Sequence, residues 1–185
     1  MWSFMKNSKT KKVVFAGILY AIILVMQAVK NVSPFISGPV INTAMVIATL
    51  YLGVWYGVLF SIITPLTSIL IAPASAMTLI VGTTKGFALP IIMDGNLIFV
   101  LLAYFLGKKG TKMLIVGLIS GALLKWLFMW GSADFILKPI FAQALGEKLI
   151  GAVNKVFSVL QLYSGLLSII LIVPIIKALN KSKKD

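Results

Sequence analysis

Asp94 and Lys125 are the residues whose chemistry most needs an explanation, because each interrupts an apolar run long enough to cross a membrane. A charged side chain is costly in hydrocarbon, so such residues usually face protein or a water-filled cavity and mark a functional site. Asn96, two residues after Asp94, adds an amide to the same segment. These three groups could bind a polar small molecule, or Asp94 and Lys125 could simply neutralise each other as a structural pair.

The amino-acid composition excludes several kinds of catalysis. The 185-residue chain contains no Cys and no His, and its only acids are Asp94, Asp134, Glu147 and Asp185. It therefore lacks thiol nucleophiles, imidazole bases and the usual zinc or nickel ligands. We expect no catalytic residues, no metal site and no cofactor, and a function other than catalysis is favoured.

Apolar segments dominate the chain and predict its fold class. Hydrophobic residues make up 60% of the sequence and charged residues 11%. We expect an all-α integral membrane protein in which residues 1–185 form one domain of six transmembrane helices. The uncharged run 40–72 would be about 50 Å long as one helix, so we divide it at Gly53. The predicted spans are 13–29, 35–52, 54–72, 90–106, 113–130 and 152–176, and the outer loops are 30–39, 73–89 and 131–151.

Two of the outer segments contain apolar residues of their own. Segment 73–89 is predicted as a loop, although it includes a short apolar stretch. Segment 131–151 carries too many charges and a central proline for a span. The near-helical spacing of its apolar residues predicts an interfacial helix or a lid over the outer side of the protein.

The lysines predict the orientation of the chain. All 17 basic residues are Lys, and eleven of them fall in the two termini and the turn at 107–112. With six spans, these three regions lie on one side of the membrane, which the positive-inside rule identifies as cytoplasmic. We therefore expect a multi-pass protein of the plasma membrane with both termini cytoplasmic. Topology and contact with anionic membrane lipid then explain the net charge of +13, and no nucleic-acid partner is expected.

The predicted orientation also places the polar residues at similar depths. Asp94 and Lys125 each lie about 13 residues from the cytoplasmic end of their span, which is roughly 19 Å along a helix. Other polar residues fall in the outer halves of the spans, whereas the inner halves are almost wholly apolar. This pattern favours an outward-facing binding pocket over a pore. The predicted ligand-binding residues are Asp94, Asn96, Lys125, Trp126, Asn42, Gln161 and Tyr163.

Small residues recur at helical spacing in the first span. Gly17 and Ala21 form a small-xxx-small stripe of the kind that lets two helices approach closely. The same spacing recurs at Gly117 and Gly121, so a stripe can serve packing within the chain or contact with another protein.

The sequence as a whole resembles a substrate-binding S component of an energy-coupling factor (ECF) vitamin transporter. The resemblance rests on the length, the six spans, the first-span stripe and the loosely structured loop before the sixth span. It also rests on the segments Gly38-Pro-Val-Ile-Asn42 and Pro90-Ile-Ile-Met-Asp-Gly-Asn96.

This resemblance implies a function and partners. An S component binds a vitamin or related small micronutrient in its outer half, and works with a transmembrane coupling subunit and two ABC ATPases, mostly in Gram-positive bacteria. In the family, an Ala-x-x-x-Ala in the first span contacts the coupling subunit, and the matching positions here are Gly17 and Ala21. The alternative functions are an autonomous small-molecule transporter or channel and, less favoured, a membrane enzyme or structural protein.

Overall fold

The fold is built entirely from helices. The computed structural model describes residues 9–30 and 33–181, and for residue 181 it describes the backbone alone. This part of the chain contains no β-strand. Two π-helical segments, Ala133–Leu137 and Lys155–Val159, connect α6 to α7 and α7 to α8. The α-helices are α1 (Lys9–Val29), α2 (Pro34–Leu52), α3 (Val54–Ile71), α4 (Ala76–Thr83), α5 (Ala88–Gly107), α6 (Thr111–Ser132), α7 (Lys138–Asn154) and α8 (Leu160–Lys181).

Six of these helices are long and apolar, as is typical of a membrane protein. Five continuous helical stretches have the length and composition needed to cross a membrane, and the last of them runs through α6, α7 and α8. Because α6 and α8 pack side by side, this last stretch contributes two long helices. The predicted all-α class is confirmed, and the predicted spans fall largely on α1, α2, α3, α5, α6 and α8. The prediction that the last span begins at 152 is wrong, because residues 152–159 belong to α7 and the second π-helical segment and α8 begins at Leu160.

The connecting segments are more helical than the sequence indicated. Segment 73–89, predicted as a loop, contains α4, whose first turn is capped by the Ser75 hydroxyl accepting a hydrogen bond from the Thr78 N–H at 3.3 Å. The predicted loop 30–39 is wrong in its second half, because α2 begins at Pro34. A proline suits this first helical position, since its missing N–H would have no partner there.

Two other predictions, the division at Gly53 and the helix in segment 131–151, agree with the structure. Gly53 separates α2 from α3 and has φ +117°, a left-handed value that glycine adopts readily. Segment 131–151 is helical, as its periodicity predicted, and most of α7 lies on the surface. Gly146, with φ +61°, interrupts α7 between its two parts.

Helix α2 lies at the centre of the bundle. It packs against α1, α3, α5 and α8, and 14 of its 19 residues are buried. The long helices run back and forth between two ends. One end carries α4, α7, the end of α1, the start of α2 and the connection at 72–75. The opposite end carries the turns at Gly53 and 107–111 and both described chain ends.

The two small-residue stripes have different surroundings. A Cβ at Gly117 would lie 2.7 Å from the Leu102 carbonyl oxygen, and one at Gly121 would lie 3.2 Å from the Phe99 carbonyl oxygen, so this stripe lets α6 approach the α5 backbone. A Cβ at Gly17 would meet no atom within 4 Å. The stripe in α1 therefore faces outward and is not used for packing among the described residues.

Replacing Gly117 with Leu is expected to lower the melting temperature of the detergent-solubilised protein, because the new side chain would collide with the α5 backbone. Overpacking of this kind costs about 1–3 kcal/mol. Gly17→Leu is the matched control and should melt like the wild type, since its side chain would extend into open space. Equal losses in both variants, or no loss in Gly117→Leu, would contradict the packing described for α5 and α6.

Candidate functional site

A cavity of about 420 Å³ opens at the end of the bundle that carries α4 and α7. Its volume is within the range of pockets that bind small molecules. Side chains from α1, α2, α3, α5, α6 and α8 converge on it, together with residues near the ends of α4 and α7. The polar or charged residues that line it are Gln27, Lys30, Ser37, Asn42, Thr64, Ser68, Ser75, Asn96, Lys125, Lys155, Gln161 and Ser164.

Lys125 is the most deeply buried charged side chain of the cavity. It is 2% exposed, and its Nζ donates hydrogen bonds to the side-chain oxygens of Asn96 at 2.9 Å and Asn42 at 3.2 Å. The Asn42 amide nitrogen in turn donates to the Ser164 hydroxyl at 3.3 Å. This network joins α6, α5, α2 and α8, so the side chains that form the floor of the cavity also tie four helices together.

Glycines allow the helices to approach each other beside this network. A Cβ at Gly95 would lie 2.8 Å from the Met129 side chain, so the absence of one lets α6 lie against α5 near Lys125. A Cβ at Gly38 would lie 2.9 Å from the Cβ of Ser164 and would push α2 away from α8. Both glycines are therefore needed for the short distances within the network.

Two further lysines reach the cavity from near the helix ends. Lys30 lies just beyond α1, and its Nζ is 3.2 Å from both the Ser68 hydroxyl and the Met77 sulfur. Burial lowers the pKa of the Lys30 ammonium to about 8. Lys155 is exposed, and its Nζ lies 5.7 Å from the centre of the Phe35 ring. The three lysines meet no acidic side chain among the described residues that line the cavity.

Gln27 contributes a free acceptor to the cavity wall. Its side chain is fully buried, and its amide nitrogen donates to the Thr64 carbonyl oxygen at 2.8 Å. Its Oε1 is also buried and accepts no hydrogen bond from the described residues. A buried polar atom without a partner is costly, so this oxygen is suited to a donor on a bound molecule.

Apolar packing closes the cavity on the side of the opposite end. One or two helical turns beyond the polar network, the four helices contribute side chains that are fully buried against one another. These side chains are Met45, Val100, Leu118 and Ile172. The cavity is therefore a pocket with a polar floor above a solid apolar core, as the depth of the polar residues predicted.

The expected pair of Asp94 and Lys125 does not form. Asp94 is exposed on the surface of α5 and does not line the cavity. Successive residues turn by about 100° around a helix, so the inward position of Asn96 directs Asp94 to nearly the opposite face. Among residues 9–30 and 33–181, the one salt bridge joins Asp134 to Lys138 at the start of α7.

The two aromatic residues that were predicted to bind the ligand, Trp126 and Tyr163, also lie outside the cavity. The Trp126 ring nitrogen donates a hydrogen bond to the Ser158 hydroxyl at 3.3 Å. The Trp126 ring stacks on the Trp130 ring, with 6.2 Å between the ring centroids. Tyr163 is exposed and makes an edge contact with Phe35. Neither side chain lines the cavity.

Four of the seven predicted ligand-binding residues do meet in the cavity: Asn42, Asn96, Lys125 and Gln161. Gln161 is held by a hydrogen bond of 3.0 Å from its amide nitrogen to the Val156 carbonyl oxygen. Ligand contact by these four stays a prediction. Lys30 and Lys155 also line the cavity, which the sequence did not predict, because lysines just outside apolar spans usually reflect membrane topology.

No family model, curated protein or solved structure matches the chain. The side chains of the cavity themselves indicate what it can bind. The pocket contains three ammonium groups, several amides and hydroxyls and an unpaired acceptor, and it is open at one end only. These groups can bind and orient a small polar molecule.

The Lys125 network predicts the effect of changing Asn96. Asn96→Asp places a carboxylate of nearly the same shape 2.9 Å from the Lys125 ammonium, so it should raise the melting temperature of the ligand-free protein in detergent. Asn96→Leu removes an acceptor from a buried charge and should lower the melting temperature. If both variants melted below the wild type by similar amounts, Lys125 would not be a buried cation held by Asn96.

Proposed function

We propose that the chain is the substrate-binding S component of an ECF-type ABC importer, which takes up a vitamin or a related small micronutrient. The observation that carries this proposal is the pocket at one end of a bundle of six long apolar helices, which opens at that end and has a polar floor. The pocket also agrees with the outer-half site that the sequence resemblance implies.

The pocket favours a binding subunit over a channel. A channel needs a continuous polar path, whereas fully buried apolar side chains such as Met45 and Val100 fill the bundle beyond Asn42 and Asn96. An autonomous transporter is often built from inverted repeats with paired broken helices, and the sequence contains no convincing internal repeat. Nothing in the sequence resembles a phosphate-binding glycine loop, so energy for uptake would come from partner ATPases.

The lysines support an outward-facing pocket. The described lysines Lys108, Lys109, Lys112 and Lys177 lie toward the end opposite the cavity, which the positive-inside rule assigns to the cytoplasm. The cavity would then open to the outside of a Gram-positive plasma membrane, where its ligand arrives.

The outward stripe of α1 supports a partner surface. Gly17 and Ala21 are both exposed on the bundle, although α1 buries other small and apolar side chains such as Ala16 and Leu19. This exposure leaves the stripe free for the transmembrane coupling subunit that the resemblance implies. The two ABC ATPases would bind that subunit on the cytoplasmic side.

The orientation can be tested with single cysteines, because the chain contains none of its own. In intact cells, an impermeant maleimide should label a cysteine at position 148, on the exposed face of α7, and should leave a cysteine at position 109 unlabelled. Permeabilised cells provide the control, in which both positions should react. Labelling at position 109 in intact cells would reverse the proposed topology.

Enlarging the α1 stripe should separate folding from assembly. Gly17→Leu and Ala21→Leu should leave the melting temperature unchanged. When the tagged chain is coexpressed with the coupling subunit and the ATPases of the same organism, both variants should reduce the amounts of these partners that co-purify with it. Gly131→Leu is the matched control, since a Cβ at that glycine would also meet no atom within 4 Å. Undiminished co-purification of both stripe variants would argue against this partner surface.

A further inference from the structure

We infer that the cavity binds a small organic anion, a molecule whose carboxylate or phosphate group lies against Lys125 and Lys30. This inference rests on the proposed function and names the chemical class of the transported molecule.

The charges of the cavity are not balanced by the chain itself. Lys30, Lys125 and Lys155 line it, and no acidic side chain does so among the described residues. Asp94 lies on the outer face of α5, and Asp134 is paired with Lys138. Glu147 is exposed on α7 away from the lining, and Asp185 lies outside the described residues. A bound anion would supply the missing negative charge.

Lys125 is arranged to receive that anion. An ammonium group has three N–H donors, and the side-chain oxygens of Asn42 and Asn96 accept two of them. Amide oxygens solvate the charge but do not neutralise it, and burial of an uncompensated charge is costly. The Lys125 Nζ also lies 5.8 Å from the centre of the Phe99 ring, and this contact does not neutralise the charge either. The net positive charge is therefore available to a carboxylate or phosphate oxygen, with which an ammonium forms a strong charge-assisted hydrogen bond.

The three lysines differ in depth. Lys155 is exposed, Lys30 is half-buried and Lys125 is fully buried. A series of positive charges from the mouth to the floor of a pocket attracts anions toward the floor and repels cations. A cationic ligand would also need aromatic faces to compensate for this repulsion, and no aromatic side chain lines the cavity in the part of the chain described here.

The remaining walls indicate what else the anion carries. The unpaired Oε1 of Gln27 requires a donor, so the molecule should have an O–H or N–H group in addition to its acid. Ile41, Ile92 and Leu160 form apolar parts of the wall. The fitting ligand is a small anion with a hydrogen-bond donor and an apolar body.

The test uses the small molecule that the protein itself retains. The full chain is expressed in cells grown in rich medium, purified in detergent and denatured, and the released molecules are identified by mass spectrometry in both polarities. The same extraction is made from Asn96→Asp and from Lys112→Met, a control that removes an exposed lysine at the opposite end. The extract is then returned to emptied wild-type protein untreated, after methyl esterification of carboxylates, and after phosphatase treatment.

Wild type and Lys112→Met are expected to release the same carboxylate or phosphate compound. The Asn96→Asp variant should retain at least about tenfold less of this compound than the wild type, because its new carboxylate neutralises Lys125 and repels the anion. Esterification or phosphatase treatment should abolish rebinding. If Asn96→Asp fails to fold, Lys155→Gln at the exposed mouth should still weaken rebinding.

Four results would overturn the inference. Release of a neutral or cationic molecule by the wild type would contradict the inference and leave the proposed binding function intact. Unimpaired rebinding after both chemical treatments would have the same two consequences. Unimpaired retention by every folded Asn96→Asp or Lys155→Gln preparation would show that the lysine charges do not hold the molecule. Release of no small molecule by the wild type would remove the proposed function and, with it, the inference.

Discussion

The structure depends on the burial of a single ammonium group, that of Lys125, in a bundle made almost wholly of apolar helices. A buried cation needs several oxygen ligands, and no single helix can provide them around one point. Asn42 comes from α2 and Asn96 from α5, while Ser164 of α8 fixes the orientation of the Asn42 amide. The need to surround one charge therefore specifies which four helices are neighbours and at what height they meet.

The same network divides the bundle into two functional halves. On one side of it, the larger cluster of buried apolar side chains fills the space between the helices, and a second, smaller cluster packs α4 and α7 onto the cavity end. On the other side, lysines, amides and hydroxyls cannot pack densely without losing their hydration or their partners, and a cavity remains. The larger apolar core and the cavity thus occupy different lengths of the same helices.

Hydropathy and depth predicted much of this arrangement but not all of it. Six long helices and four cavity residues follow from the sequence, because a polar side chain is costly in an apolar helix and must face other protein. Depth alone does not give the direction in which a side chain points, and this is why Asp94 was paired with Lys125 although it faces outward. Lys30 and Lys155 were not predicted to line the cavity, because lysines beside a span resemble topological signals. The helix α4 was not predicted because it has only eight residues, too few for their periodicity to distinguish a short helix from a loop.

The outward position of Asp94 has a consequence for the surrounding bilayer. The residue lies six positions into α5, about 9 Å along the helix from its first residue. A carboxylate on a lipid-facing surface keeps its contact with water or with headgroups, and the lipids adjust more easily than the protein does. In a membrane, the bilayer should therefore thin locally along this face of α5. The hydrocarbon layer around this protein would then be asymmetric, thinner beside α5 than beside the apolar surface of α1.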